Sequence, residues 1–187
     1  MATSATTLND PKTCHYDRLT IFFHWATVFL VVGLFALAEI WEFLPKGTPV
    51  RRLLQWLHIS FGLLFAVVFV LRMLWRVSLG RRLPPASNGM MQRAASTVHG
   101  VFYLLLVAQI VLGFLLRWAQ GEPFTFFGLF SIPTLIPIAH EQRQFIGGLH
   151  YYVAWTIIVL AVGHAVSALF HHYVLRDGVL RRMTSSR

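Results

Sequence analysis

The stretch from Gln144 to Leu175, QFIGGLHYYVAWTIIVLAVGHAVSALFHHYVL, runs for 32 residues without an Asp, Glu, Lys or Arg. A bilayer crossing needs roughly 20 apolar residues as a helix, so this segment is long enough to span a membrane. Within it, His150 and His164 stand fourteen residues apart. At about 100° and 1.5 Å per residue, they fall within roughly 40° of each other on one face, about 21 Å apart along the axis. One imidazole therefore lies near each surface of the bilayer, and both point into whatever packs on that face. Each can fill one axial position of a haem, so a single helix can serve two haems stacked across a membrane.

The rest of the chain has the matching character. It is 56% hydrophobic and only 12% charged, with a mean hydropathy of +0.61; a soluble domain carries about 25% charged residues. Three further uncharged stretches, Leu19 to Ala38, Leu53 to Leu71 and Ala94 to Leu116, are long enough to cross. Lipid leaves the helix as the form for segments of this length. The expected fold is an all-α membrane protein, a four-helix transmembrane up-and-down bundle. A fifth uncharged run, Pro123 to His140, contains Pro123, Gly128, Pro133 and Pro137. Those breakers predict an apolar loop at the interface rather than a fifth crossing. Its Phe124, Phe126, Phe127 and Phe130 suggest a lid over one end of the bundle.

The net charge of +9 reads as a topology signal, not as a nucleic-acid footprint. With both termini on one side, that side collects Lys12, Arg18, Arg72, Arg76, Arg81, Arg82, Arg93, Arg176, Arg181, Arg182 and Arg187. The other side has Lys46, Arg51, Arg52, Arg117 and Arg143, offset by Glu39, Glu42, Glu122 and Glu141. The positive-inside rule puts both termini in the cytoplasm of a bacterial inner membrane and the other end in the periplasm. Cys14 is the one cysteine, so there is no disulfide framework and no C-x-x-C-H for covalent c-type haem. Any haem is then b-type. Residues 1–15 read as a disordered tail without the apolar core of a signal peptide. Residues 16–183 form the helical domain, and 184–187 a short C-terminal tail.

Ionisable groups inside a membrane are costly and usually functional, and this chain has nine histidines. Sorted by depth, the periplasmic half holds His58 and His150. The cytoplasmic half holds His24, His99 and His164, with His171 and His172 at the membrane edge. Bis-histidine ligation needs two imidazoles on facing helices at one height. That pairs His58 with His150, and His164 with either His24 or His99. Gly62, one turn beyond His58, and Gly163, beside His164, leave room for a flat ring, although small residues also serve close helix packing. Arg72 lies fourteen residues after His58, and Arg76 one turn further on the same face. Both are candidate partners for haem propionates through bidentate hydrogen bonds; snorkelling to headgroups is the plainer role for Arg76.

Four segments carry a family resemblance: Arg18-Leu-Thr-Ile-Phe-Phe-His24-Trp25, Leu57-His58-Ile-Ser-Phe-Gly62, Val98-His99-Gly-Val-Phe-Tyr103, and Ala165 to Tyr173 following His164. In order and spacing, from about Tyr16 to Met183, the chain resembles the bacterial cytochrome b561 family. The resemblance implies two b haems, one held by His24 with His164 and the other by His58 with His150, leaving His99 as a non-ligand. It also implies a superoxide oxidase-like activity, taking electrons from superoxide at the periplasmic face and passing them to ubiquinone. His171 matches a position associated with the quinone site, and His99 is a second quinone candidate. With Lys12 and Lys46 the only lysines, superoxide steering would fall to Lys46, Arg51, Arg52 and Arg143.

Two rival functions remain open at this point. One is a haem-b membrane anchor passing electrons from a partner dehydrogenase or hydrogenase to quinone. The other, of a different class, is a histidine-dependent metal or proton transporter, against which the scarcity of intramembrane carboxylates counts.

Overall fold

The computed structural model describes residues 15–81, 83 and 89–184. Cys14, Lys12, Arg82, Arg187 and all but the last residue of the expected N-terminal tail lie outside the described residues. Four long helices make up most of the described chain: α1 (Arg18–Glu42), α2 (Pro49–Ser78), α3 (Gly89–Ala119) and α4 (Arg143–Phe170). All four are long and apolar enough to cross a membrane. A short hairpin, β1 (Phe124–Phe126) and β2 (Phe130–Ile132), lies between α3 and α4, and α5 (Arg181–Thr184) follows α4.

Local chemistry fixes the helix ends. Asp17 caps α1 by accepting the Thr20 backbone N–H at 2.8 Å and the Thr20 hydroxyl at 2.7 Å. The same carboxylate accepts Trp75 Nε1–H at 3.0 Å and the Arg81 N–H at 3.1 Å, which ties the end of α2 to the start of α1. Burial opposes the charge of Asp17, but the Thr20, Arg81 and Trp75 donors outweigh it and hold the carboxyl down to about 2. Thr48 caps α2, and Pro49 takes the first helical position, where no N–H is needed. Trp25 Nε1–H donates to the Met183 carbonyl and the Tyr16 N–H to the Arg182 carbonyl. The start of α1, the end of α2 and α5 therefore share one end of the bundle, the terminal end. The α1–α2 connection and the hairpin occupy the other, the loop end.

The packing is uneven in an informative way. α1 runs along α2 and α3 along α4, whereas α2 and α3 meet over a short stretch. A buried cluster of Phe65, Phe69, Leu106 and Ile157 joins the helix pairs halfway along. Large apolar side chains such as Phe29, Leu104 and Val159 are exposed on the outer faces, where acyl chains cover them, since lipid is as apolar as a protein core.

The run Pro123 to His140 is not a crossing, as expected, but it is more ordered than a plain loop. β1 and β2 pair antiparallel with Phe124 opposite Ile132. Phe127 (φ 46°) and Gly128 (φ 76°) make a tight turn of the type I′ kind, whose twist matches a hairpin. The Phe127 ring sits edge-on to Phe61 and Trp56, with centroids at 5.2 and 5.8 Å, and this contact offsets the cost of a positive φ. At the terminal end, α4 does not continue as a plain helix to Leu175: His171–Leu175 form a widened π turn. Such turns recur at functional sites.

Candidate cofactor site

The histidines fall into two layers separated by the Phe65–Phe69–Leu106–Ile157 cluster. At the loop end, His58 from α2 faces His150 from α4, with ring centroids 6.4 Å apart and planes at 74°. Facing imidazoles from two helices are the residue type that would hold a haem, which would supply one-electron chemistry there. His58 Nδ1–H donates to the Leu34 carbonyl at 3.0 Å, which fixes the tautomer and leaves Nε2 as a lone-pair donor. The Trp41 ring braces the same imidazole edge-on at 5.0 Å.

His150 is held differently. Gln109 Nε2–H reaches its Nε2 at 3.2 Å, while His150 Nδ1 and Gln109 Oε1 are buried with no hydrogen-bond partner. A Cβ added at Gly62, one turn beyond His58, would meet nothing within 4 Å. Paired imidazoles, orphaned polar atoms beside them and the gap at Gly62 fit a b-type haem.

At the terminal end the structure gathers all three histidines that depth had grouped. The His99 and His164 rings lie 5.7 Å apart, and Phe102 packs on His164 at 5.8 Å. His24 is within electrostatic reach of His164, His99 and Arg72. Three imidazoles at one level exceed the two axial positions of one iron, and in this arrangement the ring touching His164 is His99. The Arg72 guanidinium lies over the Tyr103 ring, 5.7 Å from its centroid; Arg76 is exposed, within reach of His99 and Arg72. Both arginines thus border the terminal-end cluster.

His171, in the π turn, is paired with the Asp177 carboxylate. Slight burial opposes the charge of Asp177, but His171 and the Val179 N–H keep its carboxyl below the usual range. His172 packs on Tyr173. Among the described residues, no group of three or more His, Cys, Asp or Glu side chains is arranged to hold a bare metal ion.

The loop-end cations differ in their engagement. Arg51 is not a free steering charge. Its guanidinium donates to the Trp41 and Leu44 carbonyls at 2.6 and 2.8 Å and pairs with Glu42 at 3.0 Å, stapling the α1–α2 connection. Lys46, Arg52 and Arg143 are exposed at that end. Sequence reasoning missed three polar residues. Gln109 contacts His150. Ser60 is fully buried and binds the hairpin. Asp177 partners His171. The first two were visible as polar residues inside uncharged spans, a signal as direct as that of the histidines.

Comparison with known proteins matches residues 15–186 to a family model described as prokaryotic cytochrome b561. The chain is 36% identical to cytochrome b561 homolog 2 of Escherichia coli (strain K12) over 176 residues, covering 94% of this chain and 93% of that protein. It is 30% identical to a probable superoxide oxidase CybB of Yersinia pestis over 176 residues, covering 90% and 94%. Similarity at 30% identity also extends to a cytochrome b562 of Cereibacter sphaeroides, covering 92% and 96%.

Proposed function

Because this chain belongs to the prokaryotic cytochrome b561 family, whose members are membrane electron-transfer proteins that bind b-type haem, we propose that it is a di-haem superoxide:ubiquinone oxidoreductase of the bacterial inner membrane. His58 and His150 hold one haem near the periplasmic loop end, and His24 and His164 hold the other near the cytoplasmic terminal end. When bound, each haem would supply a one-electron carrier, and holding it by two histidines would suit outer-sphere transfer rather than oxygen activation.

The observation that carries this reading is the two-layer arrangement. His58 and His150 sit 6.4 Å apart, and His24, His99 and His164 cluster beyond an apolar layer of Phe65, Phe69, Leu106 and Ile157. The apolar layer keeps water out of the span between the two imidazole levels. Arg72, and Arg76 beside it, offset propionate charge at the terminal end. Lys46, Arg52 and Arg143 raise the local concentration of a small anion at the loop end. There two superoxide anions become two dioxygen molecules, releasing two electrons. Ubiquinone takes up both electrons with two protons at the terminal end, where His171, oriented by Asp177, or His99 hydrogen-bonds the quinone carbonyl. The similarity to a probable superoxide oxidase supports superoxide as the donor.

The test is the purified chain alone, supplied with a steady superoxide source and a soluble ubiquinone. Ubiquinol formation with two haems per chain in a pyridine haemochrome count is the expected result. Two haems without ubiquinol would overturn the superoxide assignment in favour of a conduit for a partner dehydrogenase or hydrogenase. A colourless chain would overturn the haem reading itself.

A further inference from the structure

At the terminal end, α4 gives way to the π turn His171–Leu175, and the chain then bends at Arg176, whose φ of 54° is left-handed. Glycine takes that conformation without steric cost, yet an arginine stands here. The bend returns the chain towards the turn. His172, Tyr173, Arg176, Gly178 and Arg181 together line a pocket of about 290 Å³. Its far wall is pinned, because His15 Nδ1–H and Trp25 Nε1–H donate to the Arg181 and Met183 carbonyls of α5, both at 3.0 Å.

The pocket's charge is uncompensated. Among the described residues, this end of the bundle carries two carboxylates, and both are engaged elsewhere. Asp17 accepts from Thr20, Trp75 and the Arg81 N–H. Asp177 follows Arg176 in sequence, but its carboxylate turns to His171 and to the Val179 N–H at 3.1 Å. Neither pairs with Arg176 or Arg181. The pocket also opens onto an apolar track. Tyr173 lines it and continues a stripe of α4 through Phe170, Val166 and Val162, all exposed, at helical spacings of three and four. At about 100° per residue the stripe lies opposite His164, so it faces acyl chains and not the interior of the bundle.

We infer that this pocket binds the phosphate of an anionic phospholipid, with one acyl chain laid along Tyr173, Phe170, Val166 and Val162. Arg176 and Arg181 donate to the phosphate oxygens, the geometry for which a guanidinium is suited. Basic pockets at the membrane edge attract anionic headgroups. A zwitterionic lipid would bring its own cation against the two arginines, and a free phosphate would leave the apolar stripe unused.

The test uses the full chain with its haems, in detergent, with bound lipid counted by native mass spectrometry. Phosphatidylglycerol and phosphatidylcholine of equal chain length are the probes. One phosphatidylglycerol per chain should be held about tenfold more tightly than phosphatidylcholine, and Arg176→Gln with Arg181→Gln should remove that preference. Arg18→Gln with Arg93→Gln, two exposed cations of the same end outside the pocket, should keep it. Equal loss in both double variants would overturn the inference, because the attraction would then be spread over the whole end. A parental preference in the pocket variant would overturn it as well. Inorganic phosphate separates the two sources of the anion. Lipid that stays bound in excess phosphate supports a lipid site, whereas displacement at equal molarity assigns the pocket to the free anion and overturns the lipid. Haem content checks the folding of each variant. If the pocket double variant does not assemble, Arg181→Gln alone decides: a weakened preference supports the inference and an unchanged one overturns it.

Discussion

The Ser60 hydroxyl donates to the Thr125 carbonyl at 3.1 Å, a contact between residues 65 positions apart, and its oxygen accepts the Phe127 N–H at 3.2 Å. Ser60 is fully buried and lies two residues after His58. It fastens the hairpin onto α2 beside the loop-end histidine pair, with Phe127 packed on Phe61 and Trp56.

Ser60→Ala leaves a carbonyl and an amide without their buried partner, at a cost of about 1–3 kcal/mol. The expected outcomes are a lower melting temperature in detergent and faster reduction of the loop-end haem by dithionite, since the hairpin no longer shields it. Parental reduction kinetics in a variant with lowered stability would show that the hairpin braces the bundle without covering that end.

The crossings and the histidine layers were legible because lipid enforces them: a span must be uncharged, and an ionisable group within it stands out. The hairpin was not. Its strands are three residues long, and its turn places Phe127 at φ 46°, where Asn or Gly would have announced a type I′ turn. Phenylalanine takes that conformation because tertiary stacking rewards it, and no local signal records this. Charge counting also could not show what engages Arg51. A sum over loops sees a cation, but the Trp41 and Leu44 carbonyls and the Glu42 carboxylate that engage it come from the chain's reversal between α1 and α2. The terminal-end pairing stayed open for a related reason. Depth alone groups His24, His99 and His164, and the fold keeps all three together.

That grouping yields a direct discrimination. His58→Ala and His150→Ala are each expected to leave one haem per chain, as is His164→Ala. His24→Ala should also leave one, whereas His99→Ala should keep two, with any defect confined to quinone reduction. The pyridine haemochrome count checks each. One haem in His99→Ala and two in His24→Ala would reassign the terminal-end ligand to the ring that touches His164 at 5.7 Å.

Asp17 predicts an acid limit. Its carboxyl is held at about 2 against an ordinary 3.8, so the native state favours the ionised form. A depressed native pKa contributes stability that is fully present above the unfolded value and fades as pH falls through the native one. Asp17→Asn should therefore melt below the parent at pH 7, because α1 loses its charged cap and the ties to Trp75 and Arg81 weaken. The gap should narrow between about pH 4 and pH 2, where the parent's own carboxylate protonates. Comparing the two chains across that range cancels the carboxylates they share. A gap independent of pH would mean that the hydrogen bonds, not the charge, carry the effect.

The loop-end cations separate by what they touch. Arg52→Gln with Arg143→Gln removes two exposed charges, so association with superoxide should slow several-fold at low ionic strength. The difference from the parent should shrink as salt shortens the screening length from about 30 Å at 0.01 M to about 8 Å at 0.15 M. Arg51→Gln should behave oppositely. Its guanidinium bridges two carbonyls and Glu42, so its loss should lower the melting temperature, while the salt dependence of the rate stays parental. Stopped-flow reduction at several ionic strengths, with thermal melts of the same preparations, distinguishes the two classes. A charge neutralised by Glu42 and turned to the backbone has little field left to offer an approaching anion, so a salt-dependent rate loss in Arg51→Gln equal to that of the double variant would return Arg51 to the steering surface.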